Sequence, residues 1–324
     1  MTQLSDSTLQ TTRDRLLELK RGIAKVFVGK PDAVDSMTIA LLARGHVLLE
    51  GVPGVAKTTL MKAFAAAMGC SARRIQFTPD LLPADITGTY ILSPKDGTFS
   101  LRAGPIFANV VLADELNRAP AKTQSALLEA MQERQVTIEG DRFELPSPFI
   151  VIATQNPIDL QGTYPLPEAQ VDRFMLRVPM GYPSHEDEVT MLRTHGIETQ
   201  EATAILSADE VRSFQALAAR VFIDEDLLHY ATMLTTFTRK LPQVVLGASP
   251  RATLALVQAA KACALMSGRA FVLPDDVRAL AVPVLAHRLV LDGDSESVTR
   301  AREAVIEQAI AKVSYRPAMK RGAP

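Results

Sequence analysis

The sequence predicts an α/β fold, with a doubly wound parallel sheet at its core and a smaller all-α domain after it. Up to about residue 180, short apolar runs that suit buried strands alternate with helical patterns. One of these strands enters a helix through a turn made of glycine and other small residues. After the Gly-Tyr-Pro-Ser linker at 181–184, the patterns are helical, with one candidate strand at 243–246.

The elements of the α/β part follow in chain order. Helices are predicted where apolar residues recur every three or four positions, at 16–26, 34–42, 60–68 and 122–133. Strands of the sheet are predicted where the runs are short and largely apolar, at 47–49, 75–78, 109–113, 149–154 and 174–178. Two β-like pairs joined by turn residues predict hairpins at 89–101 and 135–145.

The second part begins its helices with clear start signals. Ser207 and Glu210 form a capping box, and Ser249 stands directly before Pro250. Further helices are predicted at 224–237, 249–266, 274–289 and 295–313. We therefore expect an N-terminal polar segment and helix (1–24, frayed to about residue 12), the α/β domain (25–183), the helical domain (184–316) and a disordered tail (317–324).

Composition restricts the class of protein. The chain has 324 residues, 47% of them hydrophobic, and a net charge of −1, so no overall basic field points to nucleic acid. No apolar run approaches the ~20 residues of a membrane helix, and residues 1–10 lack the apolar core of a signal peptide. Cys70 and Cys263 are expected to be reduced and buried. These features predict a cytoplasmic protein of about two domains.

The glycine-containing turn between strand 47–49 and helix 60–68 has the pattern of a phosphate cradle. Its residues are Gly51, Val52, Pro53, Gly54, Val55, Ala56, Lys57, Thr58 and Thr59. Small residues let backbone N–H groups point at an anion, and the helix N-terminus adds partial positive charge. In such a cradle Lys57 reaches the outer phosphates of a nucleotide and the Thr58 hydroxyl helps to hold Mg²⁺.

The cradle departs from the usual pattern at one position, because Ala56 stands where a second glycine normally precedes the lysine. A Cβ costs about 1–2 kcal/mol in the left-handed backbone conformation. We therefore predict a negative φ for Ala56, with the residue already inside the start of the helix.

Polar residues follow two of the predicted strands where open α/β sheets bind ligands, at the carboxyl ends. Asp114 and Glu115 end the strand at 109–113, and Asn156 follows the strand at 149–154. Asp114 is suited to hold the water shell of Mg²⁺, Glu115 to orient or deprotonate an attacking water, and Asn156 to hydrogen-bond that water or a γ-phosphate. The alternatives are two solvated acids and an asparagine that caps a turn before Pro157.

Together these segments resemble the MoxR family of AAA+ ATPases, in the helix-2-insert clade. The resemblance extends from about residue 25 to 315 and rests on the order and spacing of five segments, at 45–58, 112–120, 127–133, 153–157 and 166–174. Alanine before the cradle lysine is frequent in that family, so Ala56 fits it. The resemblance implies an AAA+ P-loop core followed by an α-helical lid.

The resemblance also implies roles for individual residues. Residues 51–59 would be the Walker A segment that binds ATP, Asp114 and Glu115 the Walker B pair, and Asn156 sensor 1, with Mg²⁺ held at Thr58 and Asp114. Arg173 matches the arginine finger that reaches the γ-phosphate of a neighbouring subunit. Arg251 matches sensor 2, which would contact from the lid the same phosphates that Lys57 contacts. A plain salt bridge is the alternative for either arginine.

Weaker carry-overs concern the edges of the site. Val28 and Gly29 fall where the family packs against adenine. The hairpins match the helix-2 insert and the pre-sensor-1 insert, with Phe99 as a contact for partners or, alternatively, a packing residue. Arg118 is either a second trans-acting arginine or a salt-bridge partner, and His46 is expected to be packed rather than catalytic.

The resemblance implies a homo-oligomeric ring, expected to be a hexamer, that hydrolyses ATP and remodels or matures partner proteins, often ones with a von Willebrand factor A (VWA) domain. Two alternatives stay open. A nucleic-acid-dependent motor on the same fold is disfavoured by the neutral net charge and the lack of an appended DNA-binding domain. A nucleotide-gated scaffold with little turnover is disfavoured because it has no need of Glu115, Asn156 and Arg173 together.

Overall fold

A computed structural model describes residues 4–52, 54–95, 97–156, 164, 166–195, 202–292 and 298–315. Its central feature is a sheet of five parallel strands. The strands are β1 (Val47–Gly51), β2 (Ala72–Gln76), β5 (Val110–Asp114), β8 (Ile150–Gln155) and β9 (Leu176–Met180). They lie in the order β2-β5-β8-β1-β9, and every neighbouring pair is parallel. The predicted parallel-sheet core is confirmed.

The central strands are buried because helices cover both faces of the sheet. All five residues of β5 are buried. Alternate residues of β1 enter different cores: Val47 and Leu49 pack with the helices α1 (Asp6–Ala24), α2 (Pro31–Leu42) and α3 (Lys57–Ala67), whereas Leu48 faces α5 (Ala121–Glu133). Side chains alternate between the faces of a strand, so a continuously apolar strand requires this two-sided cover.

The two predicted hairpins are present and contact each other. A short helix, α4 (Pro83–Thr87), precedes the first, which pairs β3 (Gly88–Leu92) with β4 (Phe99–Ala103); the second pairs β6 (Gln135–Ile138) with β7 (Asp141–Glu144). The Tyr90 hydroxyl donates a 2.7 Å hydrogen bond to Asp141, which ties one hairpin to the other. Phe99 is 70% exposed, so it is not a packing residue of the core.

The rest of the described chain is mostly helical. Its helices are α6 (Glu168–Val171), α7 (His185–His195), α8 (Ala208–Arg220), α9 (Glu225–Thr238), α10 (Pro250–Met266), α11 (Pro274–Leu285) and α12 (Val298–Lys312). The candidate strand at 243–246 is present as β10 (Val244–Leu246), which pairs with the two-residue β11 (Val290–Leu291). Two 3-10 turns, Leu116–Arg118 and Ala286–Arg288, complete the elements.

The N-terminus is more ordered than the sequence suggests. Helix α1 begins at Asp6, and Ser5 caps it by accepting a hydrogen bond from the Thr8 N–H. Leu9 and Thr12 are buried, so the prediction that residues up to about 12 are frayed is wrong. The buried face of α1 packs on α3 and α10, two helices that are distant from it in sequence.

Other expectations meet the structure less directly. The cysteines form no disulfide, but Cys70 and Cys263 are half-buried rather than fully buried. None of the helices in the described ranges is long and apolar enough to span a bilayer. The domain boundaries at 24, 183 and 316 stay predictions, and the tail at 317–324 lies outside the described residues.

Gly51 provides a test of the contact between β1 and β9. A Cβ at this position would lie 2.1 Å from the Met180 carbonyl oxygen on β9, so we expect Gly51→Ala to lower the free energy of unfolding by about 1–3 kcal/mol. Gly181→Ala is the matched control, because its nearest foreign atom is Lys30 Nζ at 3.7 Å and the residue has no positive φ. It should raise stability by about 0.4–1 kcal/mol. Equilibrium urea unfolding measures both, and equal stabilities for the two variants would contradict the packing.

Candidate active site

The turn from β1 into α3 forms one wall of a cavity of about 630 Å³ at the carboxyl end of the sheet. Gly54, Ala56, Lys57, Thr58 and Thr59 line it. Gly54 has a φ of +83°, and a Cβ there would meet no atom within 4 Å, so the cradle is open above it.

The remaining cradle residues anchor this turn or lie outside the description. Val55 is buried in the core, and Val52 packs against the same core. Gly51 is the last residue of β1, and its carbonyl oxygen accepts a hydrogen bond from Lys57 Nζ. Pro53 lies outside the described residues.

Ala56 has the backbone conformation that the sequence-based prediction excluded. Its φ is +56°, in the left-handed region, and helix α3 begins only at Lys57. The prediction of a negative φ is therefore wrong. The tight turn between the strand and the helix demands this conformation, and an alanine methyl, which here packs against the core, is small enough to adopt it at a cost of about 1–2 kcal/mol.

Asp114 is the most fully hydrogen-bonded carboxylate of the cavity. Thr154 Oγ1 donates to one carboxylate oxygen at 2.7 Å, and the other accepts from Thr58 Oγ1 at 3.1 Å and from an Arg74 guanidinium N–H at 2.7 Å. Burial by itself raises the pKa of Asp114, but the hydrogen bonds from Thr154, Arg74 and Thr58 outweigh it and hold the pKa below its usual value. The group is therefore an anion at neutral pH.

Glu115 is held in a strained but well-supported conformation. Its φ of +57° is left-handed, which is unusual for a non-glycine residue and common at active sites. Its N–H donates to Thr154 Oγ1 at 2.8 Å, and its carboxylate accepts from Gln76 Nε2 at 2.8 Å. The sequence left Arg118 as either a second trans-acting arginine or a salt-bridge partner. In the structure, Arg118 makes an ion pair with Glu115 at 3.3 Å.

Arg74, Gln76 and Thr154 were not identified from the sequence as members of this site. Arg74 and Gln76 stand two residues apart on the edge strand β2, so their side chains share one face, and Arg74 also donates to Gln76 Oε1 at 2.6 Å. That alternation of polar residues was the available signal. Thr154 follows the four apolar residues that begin β8 and stands two residues before Asn156.

Lys57 and Asn156 complete the same cavity. Burial lowers the pKa of Lys57, while Asp114 and Glu115 act in the opposite direction. The Asn156 carbonyl oxygen accepts a hydrogen bond from Asn117 Nδ2 at 3.1 Å, which links the end of β8 to the turn after Glu115. The structure thus brings together Lys57, Thr58, Asp114, Glu115 and Asn156, as the sequence predicted.

The two predicted site arginines lie elsewhere. Arg173 and Arg251 line a separate cavity of about 260 Å³, and neither borders the cavity that contains Lys57. Arg251 pairs with Asp172 at 3.7 Å. We expected Arg251 and Lys57 of one chain to contact the phosphates of the same nucleotide. Their positions in two different cavities of the chain do not favour that contact.

This second cavity, here called the arginine cavity, is strongly positive. Among the residues that the structure describes, five arginines and one carboxylate, that of Asp172, line it; the arginines are Arg44, Arg134, Arg173, Arg251 and Arg288. His46 also borders it, but burial lowers its pKa to about 4, so it is neutral. Its ring accepts from the Val151 N–H at 3.0 Å and contacts the Met131 carbonyl at 3.0 Å, which makes His46 a packed residue, as predicted.

Gly29, which follows Val28, lies next to helix α7, a helix that also reaches the cradle cavity. A Cβ on Gly29 would lie 3.5 Å from the Asp187 carboxylate, and Met191, one helical turn further along α7, lines the cavity with Lys57. This neighbourhood is compatible with the predicted adenine contact, which stays a prediction.

The cradle cavity has the donor set for a magnesium–triphosphate ligand. Thr58 and Asp114 present hydroxyl and carboxylate oxygens, the ligand atoms that Mg²⁺ prefers. Lys57 and the N-terminus of α3 present positive charge to an anion. Glu115 and Asn156 add a carboxylate and an amide at the same edge of the sheet. This set of groups is typical of nucleoside triphosphate hydrolysis. The arginines that could assist it, Arg173 and Arg251, lie in the separate arginine cavity of the chain.

Comparison with known proteins agrees with this geometry. Residues 46–176 match the family profile described as the ATPase family associated with various cellular activities (AAA), and residues 236–310 match the AAA lid domain. The sequence is 45% identical to Chaperone MoxR1 of Mycobacterium tuberculosis over 315 residues, which covers 94% of this chain and 82% of that protein.

Two further relatives match this chain over nearly the full length of both proteins. Protein MoxR of Methylorubrum extorquens is 32% identical over 314 residues, which covers 89% of this chain and 91% of that protein. The crystal structure of an inferred ATPase from Cytophaga hutchinsonii superposes with a TM-score of 0.87 at 38% identity, covering 96% of this chain and 98% of that one.

The parallel sheet, the cradle with its acidic pair and the helical lid define a P-loop ATPase of the AAA+ class. Within that class, the chain belongs to the MoxR family, as its identity to two MoxR proteins over most of their length establishes.

The conformation of Ala56 can be tested by the sign of a stability change. If φ is positive, Ala56→Gly removes left-handed strain of about 1–2 kcal/mol, which the entropic cost of glycine only partly offsets. The variant should therefore be as stable as the parent or more stable by up to about 1 kcal/mol. A helical Ala56 would instead lose about 1 kcal/mol on the same change. Ala56→Val, which is β-branched, should be clearly less stable in the same thermal unfolding measurement.

Proposed function

We propose that this protein is an oligomeric ATPase whose catalytic site is completed between neighbouring copies. The observation that carries the proposal is the separation of Lys57 and Glu115 from Arg173 and Arg251 into two different cavities of one chain. Phosphoryl transfer commonly needs an arginine at the γ-phosphate. A second copy that docks its arginine cavity against the cradle of the first would provide it, and repetition of this head-to-tail contact closes a ring. By family resemblance the ring is a hexamer.

Within one copy, the cradle residues bind and orient the nucleotide. Lys57 and the α3 N-terminus neutralise phosphate charge, with Gly54 leaving room for the phosphates. Val28 and Gly29 are proposed to contact the adenine. Mg²⁺, held at Thr58 and Asp114, would supply further charge neutralisation when it is bound.

Hydrolysis then depends on Glu115 and Asn156. Glu115 acts as the general base that takes a proton from the attacking water, and Asn156 orients that water or the γ-phosphate. Gln76 holds the Glu115 carboxylate at 2.8 Å, and Thr154 fixes the Glu115 backbone, so the position of the base is set by two neighbouring strands.

The neighbouring copy contributes Arg173, with Arg251 from its lid in the same cavity. Their charge would stabilise the transition state of the phosphate group that the first copy binds. Because the lid and the core of one chain both line this cavity, a change in the angle between them would alter how the arginines are presented.

The work done with this energy is proposed to be remodelling of a protein partner. The name of the Mycobacterium tuberculosis relative, Chaperone MoxR1, supports a chaperone-like role. The family resemblance makes a VWA-domain protein a suitable partner and the cytoplasm a suitable location. The exposed Phe99 at the end of the first hairpin is a plausible contact for such a partner.

Glu115→Gln tests the catalytic assignment. The amide cannot accept a proton, so ATP hydrolysis should fall at least ~100-fold. ATP binding, measured with a fluorescent ATP analogue, should stay within about twofold of the parent, because Lys57 and Thr58 are unchanged. Hydrolysis at the parental rate would refute the role of Glu115.

Mixed oligomers test whether the site is shared. Arg173→Ala and Lys57→Ala should each be inactive alone, since one lacks the trans arginine and the other cannot bind ATP. In a mixture, an Arg173→Ala copy can bind ATP and receive an intact Arg173 from a Lys57→Ala neighbour, so hydrolysis should return. If the mixture stays inactive while both variants assemble, the shared-site proposal fails.

A further inference from the structure

The chain segment that carries Arg173 is held by a turn of the lid. That turn, residues 286–288, follows helix α11 and is here called the lid turn. One Arg288 guanidinium nitrogen donates to the Phe174 carbonyl at 2.8 Å and reaches the Asp172 carbonyl at 3.4 Å. His287 Nε2 lies 3.1 Å from the same Phe174 carbonyl. The carbonyls on both sides of Arg173 are therefore bound by lid side chains.

Asp172 adds an ionic contact between the same parts. Its Oδ1 lies 3.3 Å from Arg288 Nε, and its Oδ2 lies 3.7 Å from Arg251 Nη1. The two arginines differ in exposure, because the Arg288 side chain is 3% exposed and that of Arg251 is 51% exposed. Arg288 is thus built into the structure, whereas Arg251 extends toward solvent.

The backbone of the segment is otherwise held mainly by local hydrogen bonds in the described part of the chain. It lies between the one-turn helix α6 and the first residue of β9; the Arg173 N–H donates to the Gln170 carbonyl at 3.2 Å, and the Phe174 N–H donates to the Val171 carbonyl at 3.0 Å. Phe174 is fully buried, so the residue that follows Arg173 is fixed by packing. Burial lowers the pKa of Arg288 to about 10, which leaves it charged at neutral pH and able to keep its contacts.

We propose that Arg288 is a positioning residue through which the lid of one subunit orients the Arg173 that the same subunit presents to its neighbour. This inference rests on the proposed shared site. It adds a direction to the coupling: through Arg288, the lid of a subunit acts on hydrolysis in the adjacent subunit, since Arg288 lines the arginine cavity and not the Lys57 cavity of its own chain.

Arg288→Met tests the proposal. Methionine fills a similar space without a donor; Asp172 keeps its Oδ2 contact with Arg251 but loses the Oδ1 contact with Arg288, so some loss of stability is expected, and mixed oligomers separate it from a loss of positioning. We expect kcat to fall about 10–100-fold, the loss typical of a misplaced catalytic group, while KM for ATP stays within about twofold. Arg288→Lys, which keeps the charge and one donor direction, should give an intermediate kcat.

Mixed oligomers assign the defect to one side of the interface. Arg288→Met mixed with Lys57→Ala should regain hydrolysis, because the cradle of the first copy is intact and the second presents a normally positioned Arg173. Arg288→Met mixed with Arg173→Ala should show no more hydrolysis than Arg288→Met alone, because neither copy presents a well-positioned Arg173. A copy that was simply misfolded would not be rescued in the first mixture.

The control variant is Arg278→Met on helix α11. Arg278 is also a lid arginine, but its partners are Asp275 and Tyr230, both within the lid, so parental kcat is expected. The proposal is overturned if Arg288→Met keeps the parental kcat, if Lys57→Ala fails to rescue it, or if Arg173→Ala does rescue it. The mixture of Arg173→Ala with Lys57→Ala separates this failure from that of the shared site, because only the latter abolishes rescue in that pair.

Discussion

The hydrogen-bonded carboxylate of Asp114 is the interaction on which the site depends. Through Thr154 it is tied to β8, through Thr58 to the cradle and α3, and through Arg74 to β2. A buried carboxylate is costly unless its lone pairs are satisfied. These hydrogen bonds therefore favour the arrangement in which β5, which carries Asp114, meets β8, β2 and the start of α3. The same Thr154 hydroxyl accepts the Glu115 N–H, which makes the position of the base a consequence of the position of its acidic neighbour.

The distribution of charge over the two cavities supports the proposed contact between copies. The cradle cavity contains two carboxylates and one lysine in addition to Arg74, whereas the arginine cavity has five arginines against Asp172. Unpaired positive charges repel one another, so an anion delivered by another copy would relieve the arginine cavity. The lid turn acts at the arginine cavity, because it binds the backbone carbonyls on either side of Arg173.

Local sequence patterns predicted most of the fold and most of the residues that line the cradle cavity. The continuous apolar runs of β5 and β8 could only be central strands, and the residues after them, Asp114, Glu115 and Asn156, had to share one sheet edge. Two kinds of feature were not local. The φ of Ala56 follows from the demand of the turn rather than from alanine's preference. The order of helix α1 up to Asp6 follows from burial of Leu9 against distant helices.

The sequence by itself determined the class of chemistry. A lysine–threonine cradle, an acidic pair and an amide each follow an apolar run that predicts a strand of the sheet. Their order and spacing along the chain therefore predicted one site at one edge of that sheet. Only the tertiary structure decided where these groups lie. It places Arg173 and Arg251 in a different cavity from Lys57. The support of Asp114 by Arg74 joins positions 40 residues apart, and the contacts of Arg288 with residues 172–174 join positions up to 116 residues apart. Such contacts depend on how strands are ordered and how the lid packs, which no local pattern encodes.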